Sequence, residues 1–349
     1  MKFRSLFPRA LGCACIWLSA GAIAAPEAQD TANAPVAAEV AGYPSPLVAE
    51  RADPWVLRHG DFYYFIATVP EYDRIELRRS PTIAGLAEAE AEVIWSKHGS
   101  GPMSAHIWAP ELHYIDGAWY IYFAAGEAEH PWNIRMYTLR NAAANPLHGD
   151  WQEMGRIATP VDSFSLDATS FTHNGKRYLV WAQYDTEADL GSQLLMAEMQ
   201  SPTEIREPVI TLSTPNFDWE TRGHKVNEGP AVLKRNGRVF ISYSASATDA
   251  NYAMGLLWAD ASADLMDTQS WHKLPQPVLH TSAGLKRFGP GHNSFTVAED
   301  GETDLVVYHA RDYREIKGHP LSDGNRATRV RVLRWDENGM PDFRQQAAD

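Results

Sequence analysis

The chain repeats one pattern five times: an apolar run, a glycine-containing turn and an aromatic-rich run. These stretches span residues 53–65, 110–122, 168–180, 230–242 and 292–307. Their turn glycines are separated by 57, 58, 62 and 64 residues, at Gly60, Gly117, Gly175, Gly237 and Gly301. Asp-Gly and Asn-Gly steps between β-rich runs are typical of tight hairpins, because such turns need positive φ at their centre. Each repeat is therefore predicted to open with a β-hairpin.

This period predicts the fold class. A repeat near 60 residues leaves room for a hairpin and two further strands, which together make one four-stranded propeller blade. We therefore expect an all-β protein with the five-bladed β-propeller fold. A β-sandwich is the alternative, but its turns usually recur about every 10 residues. Residues 84–92 are expected to form at most a short surface turn of helix.

The beginning of the chain has the pattern of an export signal. Lys2, Arg4 and Arg9 precede an apolar run over residues 11–24, which is too short to span a membrane. We expect a signal peptide at 1–25, a flexible linker at 26–48 and a single propeller domain at 49–349. After cleavage the protein would be secreted or periplasmic, with no membrane partner.

Both cysteines of the chain, Cys13 and Cys15, lie inside this leader. Cleavage after Ala24 or Ala25 would leave a mature protein with neither a thiol nor a disulfide. Lipid attachment at Cys13 is the alternative, although the preceding Ala-Leu-Gly is a poor context for it.

The charge and the aromatic content of the chain limit the classes of molecule that we expect it to bind. The formal net charge of −13 becomes −16 when the three cations of the leader are removed. So acidic a chain argues against nucleic acid as a partner. The 12 Trp and 14 Tyr offer flat apolar faces that stack on sugar rings, although most of them are expected to pack in the core.

Carboxyl groups stand at the start of three repeats, at Asp53, Asp167 and Glu228. The first strand of each propeller blade lines the central channel, so we expect these side chains to converge near the axis. Glycoside hydrolysis needs two such groups, an acid that protonates the leaving oxygen and a base that activates water. Mutual repulsion between close carboxyls keeps one of them protonated near neutral pH. The alternative for each acid is to cap a turn or hold a backbone amide.

Six short motifs resemble those of glycoside hydrolase family 43, in that family's order and over nearly all of residues 50–335. They are Asp-Pro-Trp at 53–55, His-Ile-Trp-Ala-Pro-Glu at 106–111, Ser-Leu-Asp at 165–167, Asn-Glu-Gly-Pro at 227–230, Gly-His-Asn-Ser at 291–294 and Gly-Asn-Arg-Ala-Thr at 324–328. The resemblance implies a five-bladed propeller and an inverting hydrolysis of arabinose or xylose linkages that requires no cofactor.

The resemblance also implies roles for individual residues. Asp53 would be the general base, Glu228 the general acid, and Asp167 the group that orients the acid and tunes its pKa. Arg326 would reach into the sugar pocket, where its fixed charge can hold a hydroxyl and a neighbouring carboxylate. Glu111 has no chemical role in the family pattern, and we expect it to pair with a nearby cation.

Three further residues are candidate contacts. Trp108 resembles the aromatic platform under the terminal sugar, with core packing as the alternative. His106, just before it, is a second candidate contact with the substrate. His292 opens the fifth repeat, where related enzymes hold a hydrated calcium ion, so we expect a water-mediated structural calcium there. Histidine is a poor ligand for this hard cation, and most of the shell would be water.

The stretches 69–79 and 308–313 resemble family members that act on α-L-arabinofuranosides. We therefore expect an exo-acting α-L-arabinofuranosidase, with an arabinose-containing oligosaccharide or polysaccharide as its partner. The alternatives within the family are a β-xylosidase and an endo-arabinanase. The alternative from another class is a non-catalytic carbohydrate-binding propeller, because a fold does not guarantee activity.

Overall fold

A computed structural model describes residues 42–345, which form the five blades of a β-propeller. The predicted all-β, five-bladed fold is thus confirmed. The first blade comprises β1 (Ala52–His59), β2 (Phe62–Thr68), β3 (Arg74–Ser80) and β4 (Glu92–Ser96). The second comprises β5 (Ala105–Ile115), β6 (Ala118–Gly126), β7 (Arg135–Asn141) and β8 (Gln152–Arg156). The third comprises β9 (Ser165–His173), β10 (Lys176–Tyr184), β11 (Ser192–Ser201) and β12 (Glu204–Ser213).

The fourth blade comprises β13 (Asn227–Arg235), β14 (Arg238–Ala245), β15 (Ala253–Asp260) and β16 (His272–Lys273). The fifth has β17 (Phe288–Val297), β18 (Asp304–Arg311) and β19 (Ala327–Val332), and a small hairpin follows it with β20 (Arg334–Trp335) and β21 (Pro341–Asp342). Short 3₁₀ turns lie at Ala84–Leu86, Asp218–Glu220, Thr268–Ser270 and Pro320–Ser322. No helix within residues 42–345 is long and apolar enough to cross a membrane.

The beginning of the described chain completes the fifth blade. Val48 pairs with Thr328 on the free edge of β19, and the N–H of Leu47 donates to the carbonyl of Thr328 at 2.8 Å. Leu47 and Val48 are both buried. The last two residues of the expected linker, Leu47 and Val48, thus pair with the fifth blade, while the boundaries expected for the leader and the linker stay a prediction. The expected signal peptide at 1–25 and the linker up to residue 41 lie outside the described residues.

Tight turns join the first two strands of four blades, as the glycine spacing predicts. In the third blade His173 pairs with Lys176, and the turn between them places Asn174 at φ 47° and Gly175 at φ 76°. Two consecutive positive φ values match the twist of the flanking strands. The same Asx-Gly turn recurs at residues 116–117 and 236–237.

Each inner strand begins with a β-bulge at which a residue has positive φ. The register shifts at the start of β1, β5, β9, β13 and β17, and it shifts twice in β5 and β17. One such residue per blade is Asp53 (53°), Ala109 (45°), Asp167 (57°), Gly229 (55°) or His292 (44°), and β5 and β17 have a second, His106 (51°) and Gly289 (59°). A bulge redirects a side chain out of the regular alternation of the strand. The propeller thus presents five equivalent positions around its axis, three of which carry ionisable groups.

The core lies between the blades. Five hydrophobic clusters of described residues each join at least two adjacent blades, and together they close the ring. Examples of residues that share a cluster across two blades are Leu77 with Leu112, Tyr122 with Trp181, Val180 with Ile241, Phe240 with Val306, and Leu305 with Phe65. Burial of these faces removes apolar surface from water and fixes the inner strands around the axis.

Candidate active site

A cavity of about 670 Å³ opens where the inner strands begin. It brings together six of the seven site residues expected from the sequence, namely Asp53, Trp108, Asp167, Glu228, His292 and Arg326. The seventh, His106, lines an adjoining cleft of about 430 Å³ that shares Trp108 with this cavity. Residues far apart in the chain therefore meet because together they come from all five blades, with His292 and Arg326 both in the fifth.

Asp53 is 8% exposed and is surrounded by donors. Its Oδ1 lies 3.3 Å from Nη1 of Arg326 and 3.3 Å from Nδ1 of His292. The hydroxyl of Thr68 donates to Oδ2 at 2.6 Å. Burial favours the neutral acid, but the Arg326 guanidinium, with a smaller contribution from His292, outweighs it and holds the pKa of Asp53 well below the usual range. Asp53 is therefore ionised at neutral pH, which is the state that a general base needs.

Glu228 has the opposite protonation behaviour. It precedes the bulge residue of β13 and borders the cavity, with Oε1 accepting a hydrogen bond from the Tyr252 hydroxyl at 2.8 Å. Burial raises the pKa of Glu228 to about 7, against the lowering effect of the Tyr252 hydrogen bond. A carboxyl group with this pKa holds a proton in slightly acidic solution and can release it to a leaving group.

Asp167 lies behind the acid, at the bulge of β9. Its Oδ2 accepts a hydrogen bond from the N–H of Gly229 at 2.9 Å and is 4.0 Å from Nδ1 of His292. Burial raises the pKa of Asp167 well above its usual value, and the charges of Glu228 and Asp53 add to this effect. Burial and mutual repulsion thus keep a proton on the Asp167–Glu228 pair near neutral pH.

Arg326 connects the base to the wall of the cavity. Its side chain is almost fully buried, with Nη1 beside Asp53 and Nη2 3.3 Å from the hydroxyl of Tyr72. The Nε of Arg326 is buried without a hydrogen-bond partner in the described structure. Tyr72 is itself fixed, because its hydroxyl donates to the carbonyl of Leu321 at 2.6 Å. The sequence had placed Arg326 in the site but had not identified Tyr72 as its partner.

An aromatic wall forms one side of the cavity. The rings of His106 and Trp108 stack with centroids 4.5 Å apart and planes 16° from parallel. Tyr72 meets Trp108 edge to face at 5.6 Å. Trp132, which the sequence did not single out, lies 6.0 Å from Trp108 and is 58% exposed at the mouth. These faces can hold the apolar side of a sugar ring, with His106 supporting Trp108 from the neighbouring cleft.

The His292 ring faces the carboxylates. Its backbone N–H donates to Oγ of Ser244 at 2.7 Å, which holds the main chain of the bulge, and Nδ1 of the ring lies 3.3 Å from Asp53 and 4.0 Å from Asp167. In residues 42–345, no group of three or more His, Cys, Asp or Glu is arranged to hold a metal ion. One imidazole nitrogen does not make the oxygen-rich shell that calcium prefers, so these residues by themselves do not fit the ion. The water-mediated calcium at His292 stays a prediction.

Glu111 is buried beneath the cavity, and its expected cation is replaced by a neutral group. Its Oε2 lies 3.0 Å from Nε2 of His113. Burial lowers the pKa of His113 to about 3, so this imidazole is uncharged at neutral pH. Burial also raises the pKa of Glu111 well above its usual value. Burial thus disfavours the charged form of both groups, and the partner that Glu111 contacts is an uncharged imidazole rather than the expected cation.

Sequence reasoning missed three residues that hold the carboxylates. Thr68 and Tyr252 donate to Asp53 and Glu228, and His309 accepts a hydrogen bond from the N–H of Asp53 at its Nδ1, over 3.1 Å. Burial lowers the pKa of His309 to about 4, which keeps it a neutral acceptor. These three residues lie outside the repeat starts, and although His309 falls in the stretch 308–313, no motif indicated its contact with Asp53, so only the packing of the strands reveals these contacts.

Known proteins are similar to this chain over most of its length. A protein from Streptomyces avermitilis named extracellular exo-α-(1→5)-L-arabinofuranosidase is 54% identical over 319 residues, covering 91% of this chain and 66% of that protein. A protein of the same name from Streptomyces chartreusis is 56% identical over 281 residues, covering 80% of this chain and 86% of that protein. The chain thus spans slightly less than two thirds of the first relative and most of the second.

Structure and family comparison agree with these relatives. The crystal structure of α-L-arabinofuranosidase from Lactobacillus brevis is similar with a TM-score of 0.84 at 51% identity, covering 86% of this chain and 96% of that one. The model of glycosyl hydrolases family 43 matches residues 43–341, from the segment that pairs with β19 to the last hairpin. With every family motif positioned on the propeller, the chain belongs to glycosyl hydrolases family 43.

Proposed function

We propose that this protein is an inverting, exo-acting α-L-arabinofuranosidase that hydrolyses terminal arabinofuranosyl linkages in arabinan or arabinose-substituted plant polysaccharide. The observation that carries the proposal is the opposite behaviour of two carboxyl groups in one cavity. The pKa of Asp53 is held well below its usual range, and that of Glu228 is raised to about 7. One cavity therefore contains a base and an acid that are both in their working states in slightly acidic solution.

The proposed reaction is a single displacement. Asp53 takes a proton from a water molecule as the water oxygen attacks the anomeric carbon. The bond from that carbon to the glycosidic oxygen breaks, and the oxygen takes a proton from Glu228. Asp53 ends protonated and Glu228 ionised, so a proton must return from Asp53 to Glu228 through solvent before the next turnover. A single attack inverts the anomeric centre.

Two neighbouring groups support this division of labour. Arg326, 3.3 Å from Asp53, stabilises the base in its ionised form. Asp167 accepts from the backbone of Gly229, the residue after the acid, and so helps to orient Glu228. Repulsion between Asp167 and Glu228 favours retention of the transferable proton.

The names of the relatives support arabinose as the sugar, since proteins at 54% and 56% identity are named exo-α-(1→5)-L-arabinofuranosidases. Product analysis from linear and branched arabinan tests this choice. Release of free arabinose from chain ends is expected, whereas internal cleavage into oligosaccharides would favour the endo-arabinanase. Side-by-side assays with 4-nitrophenyl α-L-arabinofuranoside and β-D-xyloside separate the β-xylosidase. Binding without release of either chromophore would favour a carbohydrate-binding propeller.

We also propose export, with cleavage of residues 1–25 after Ala24 or Ala25. The pattern of the leader supports this, and the two Streptomyces relatives are named extracellular. N-terminal sequencing of protein recovered from the exported fraction tests it. The expected mature chain contains no thiol, and recovery of Cys13 or Cys15 in that fraction would contradict the cleavage site.

A further inference from the structure

Tyr252 reaches the candidate acid from the turn just before β15. Its hydroxyl donates to Oε1 of Glu228 at 2.8 Å, and its side chain is fully buried. Burial and the nearby carboxyl groups raise the pKa of Tyr252 well above its usual value. The phenol therefore stays protonated and remains a donor throughout the pH range in which the acid titrates.

The surroundings of Tyr252 hold its ring in one place. It lies parallel to the imidazole of His309, with centroids 5.6 Å apart and planes within 6°. On another side it packs against Gly291, where an added Cβ would approach Cε1 of Tyr252 to within 2.4 Å. His309 in turn accepts from the backbone N–H of Asp53 at 3.1 Å. The stacked pair therefore joins the acid on one side to the base on the other.

We propose that Tyr252 is a positioning residue that decides which oxygen of Glu228 carries the transferable proton. The proposal rests on the general-acid role that we propose for Glu228. Oε1 accepts the phenolic hydrogen bond, so the proton is placed on Oε2. When the glycosidic bond breaks, the leaving oxygen takes this proton, and the electron pair of the O–H bond stays on Oε2. The same hydrogen bond then stabilises the carboxylate that forms, which matters most for a poor leaving group.

Several other groups also set the charge state of Glu228, and their contributions must stay constant in a test. Asp53 raises its pKa and Arg326 lowers it, while Asp167 is electrostatically coupled to it. His292 faces Asp53 and Asp167 in the same cavity. A Tyr252→Phe substitution alters none of these groups, and it keeps the ring that stacks on His309 and fills the space beside Gly291.

The experiment compares the pH profiles of kcat/KM for the wild type and Tyr252→Phe on an arabinofuranosyl disaccharide. The acid works protonated, so activity falls as the pH rises through the pKa of Glu228. Loss of the phenolic donor raises this pKa, and the alkaline limb is expected to move up by about one pH unit. At the plateau, kcat on the disaccharide should fall about 10-fold, with a smaller loss on 4-nitrophenyl α-L-arabinofuranoside, whose leaving group needs less protonation.

Tyr243→Phe is the matched control. Its hydroxyl donates to another buried carboxyl, Oε1 of Glu220, at 2.7 Å and in the same blade. The substitution therefore removes the same kind of buried hydrogen bond without touching Glu228. We expect a comparable loss of thermal stability in both variants, but an unshifted alkaline limb only in Tyr243→Phe.

An alkaline limb of Tyr252→Phe that coincides with the wild type, with equal losses on both substrates, would overturn the proposal. If the variant does not fold, 3-fluorotyrosine at position 252 provides a stronger donor, and the alkaline limb should then move to lower pH. An unmoved limb again overturns the proposal.

Glu228→Gln is assayed alongside. If that variant still hydrolyses the disaccharide at the wild-type rate, the acid assignment fails, and the role of Tyr252 fails with it. If it is inactive while the limb of Tyr252→Phe is unmoved, only the role of Tyr252 fails.

Discussion

The guanidinium of Arg326 lies 3.3 Å from the carboxylate of Asp53, and both side chains are buried. Asp53 belongs to the first blade, whereas Arg326 precedes the last strand of the fifth. The contact therefore exists only when the ring of blades is closed, beside the point where Val48 pairs with Thr328. In this way the closure of the fold sets the charge state of the candidate base.

Replacement of Arg326 by Met is expected to shift the acid limb of the pH profile. Arg326 holds the pKa of Asp53 down, so its loss raises that pKa. A base works deprotonated, and the pH below which kcat/KM falls should rise by the same amount. Arg326→Lys keeps the positive charge but lacks the planar guanidinium group. It should therefore shift the acid limb less than Arg326→Met does. Identical acid limbs in the wild type and Arg326→Met would show that Arg326 does not tune the base.

The two candidate catalytic carboxyl groups should respond differently to the leaving group. Glu228→Gln removes only the proton donor, so an activated aryl arabinofuranoside should partly restore its rate. Asp53→Asn removes the base that activates water, and no leaving group can replace it. General acid or base catalysis contributes about 10²- to 10⁴-fold, so losses of that order are expected on natural substrates. Equal losses for the two variants on both substrate types would contradict the assignment.

Thr68 is expected to matter for stability as well as for the base. Its hydroxyl donates to Asp53 and accepts from the backbone N–H of Ala109 at 2.7 Å, so it joins the first two bulges. Thr68→Val leaves that buried N–H without a partner, at a cost of about 1–3 kcal/mol. Thr68→Ser keeps the hydroxyl and is the control. In urea denaturation, the free energies of unfolding of the wild type and Thr68→Ser should be close, and that of Thr68→Val should be lower. Equal values for Thr68→Val and Thr68→Ser would argue against a link between the two bulges through the Thr68 hydroxyl.

Gly229 is expected to be intolerant of a side chain for two separable reasons. Its φ of +55° disfavours any Cβ, and a Cβ there would lie 3.0 Å from Cγ of His292. Gly237 shares only the first reason, because its φ is +72° but nothing lies within 4 Å of an added Cβ. Gly237→Ala should therefore cost about 1–2 kcal/mol in unfolding free energy. Gly229→Ala should cost more and also lower kcat, since the His292 ring must move against Asp53. Equal stability and activity of the two variants would contradict this account.

Much of the architecture could be predicted because it is local. An Asx-Gly turn specifies its hairpin within a few residues, so the turns at Gly117, Gly175 and Gly237 predicted three blades by themselves. The acids at the repeat starts could also be found, since the inner strand of every blade meets the axis. The left-handed conformation of Asp53 and Asp167 could not, because it arises from bulges that depend on the pairing register.

The missed residues depend on packing between strands. Thr68 ends the second strand of the first blade, and His309 lies in the second strand of the fifth, so neither marks the start of a repeat. The contact of Tyr252 with Glu228 depends on the turn before β15 and on the space at Gly291. His106 was predicted from its motif as a contact with the substrate; it lines the adjoining cleft and stacks on Trp108, and a contact with the substrate stays a prediction. Such side-chain directions follow from tertiary contacts that no short motif encodes.

The stereochemistry of the first product tests the central claim most directly. Proton NMR can follow hydrolysis of an α-linked arabinofuranoside before the released sugar equilibrates between its anomers. If Asp53 activates water in a single displacement, the first-formed sugar is the β-anomer of arabinofuranose. An initial α-anomer, or transfer of arabinose to added methanol with retention, would indicate a covalent intermediate and contradict the role of Asp53 as a general base.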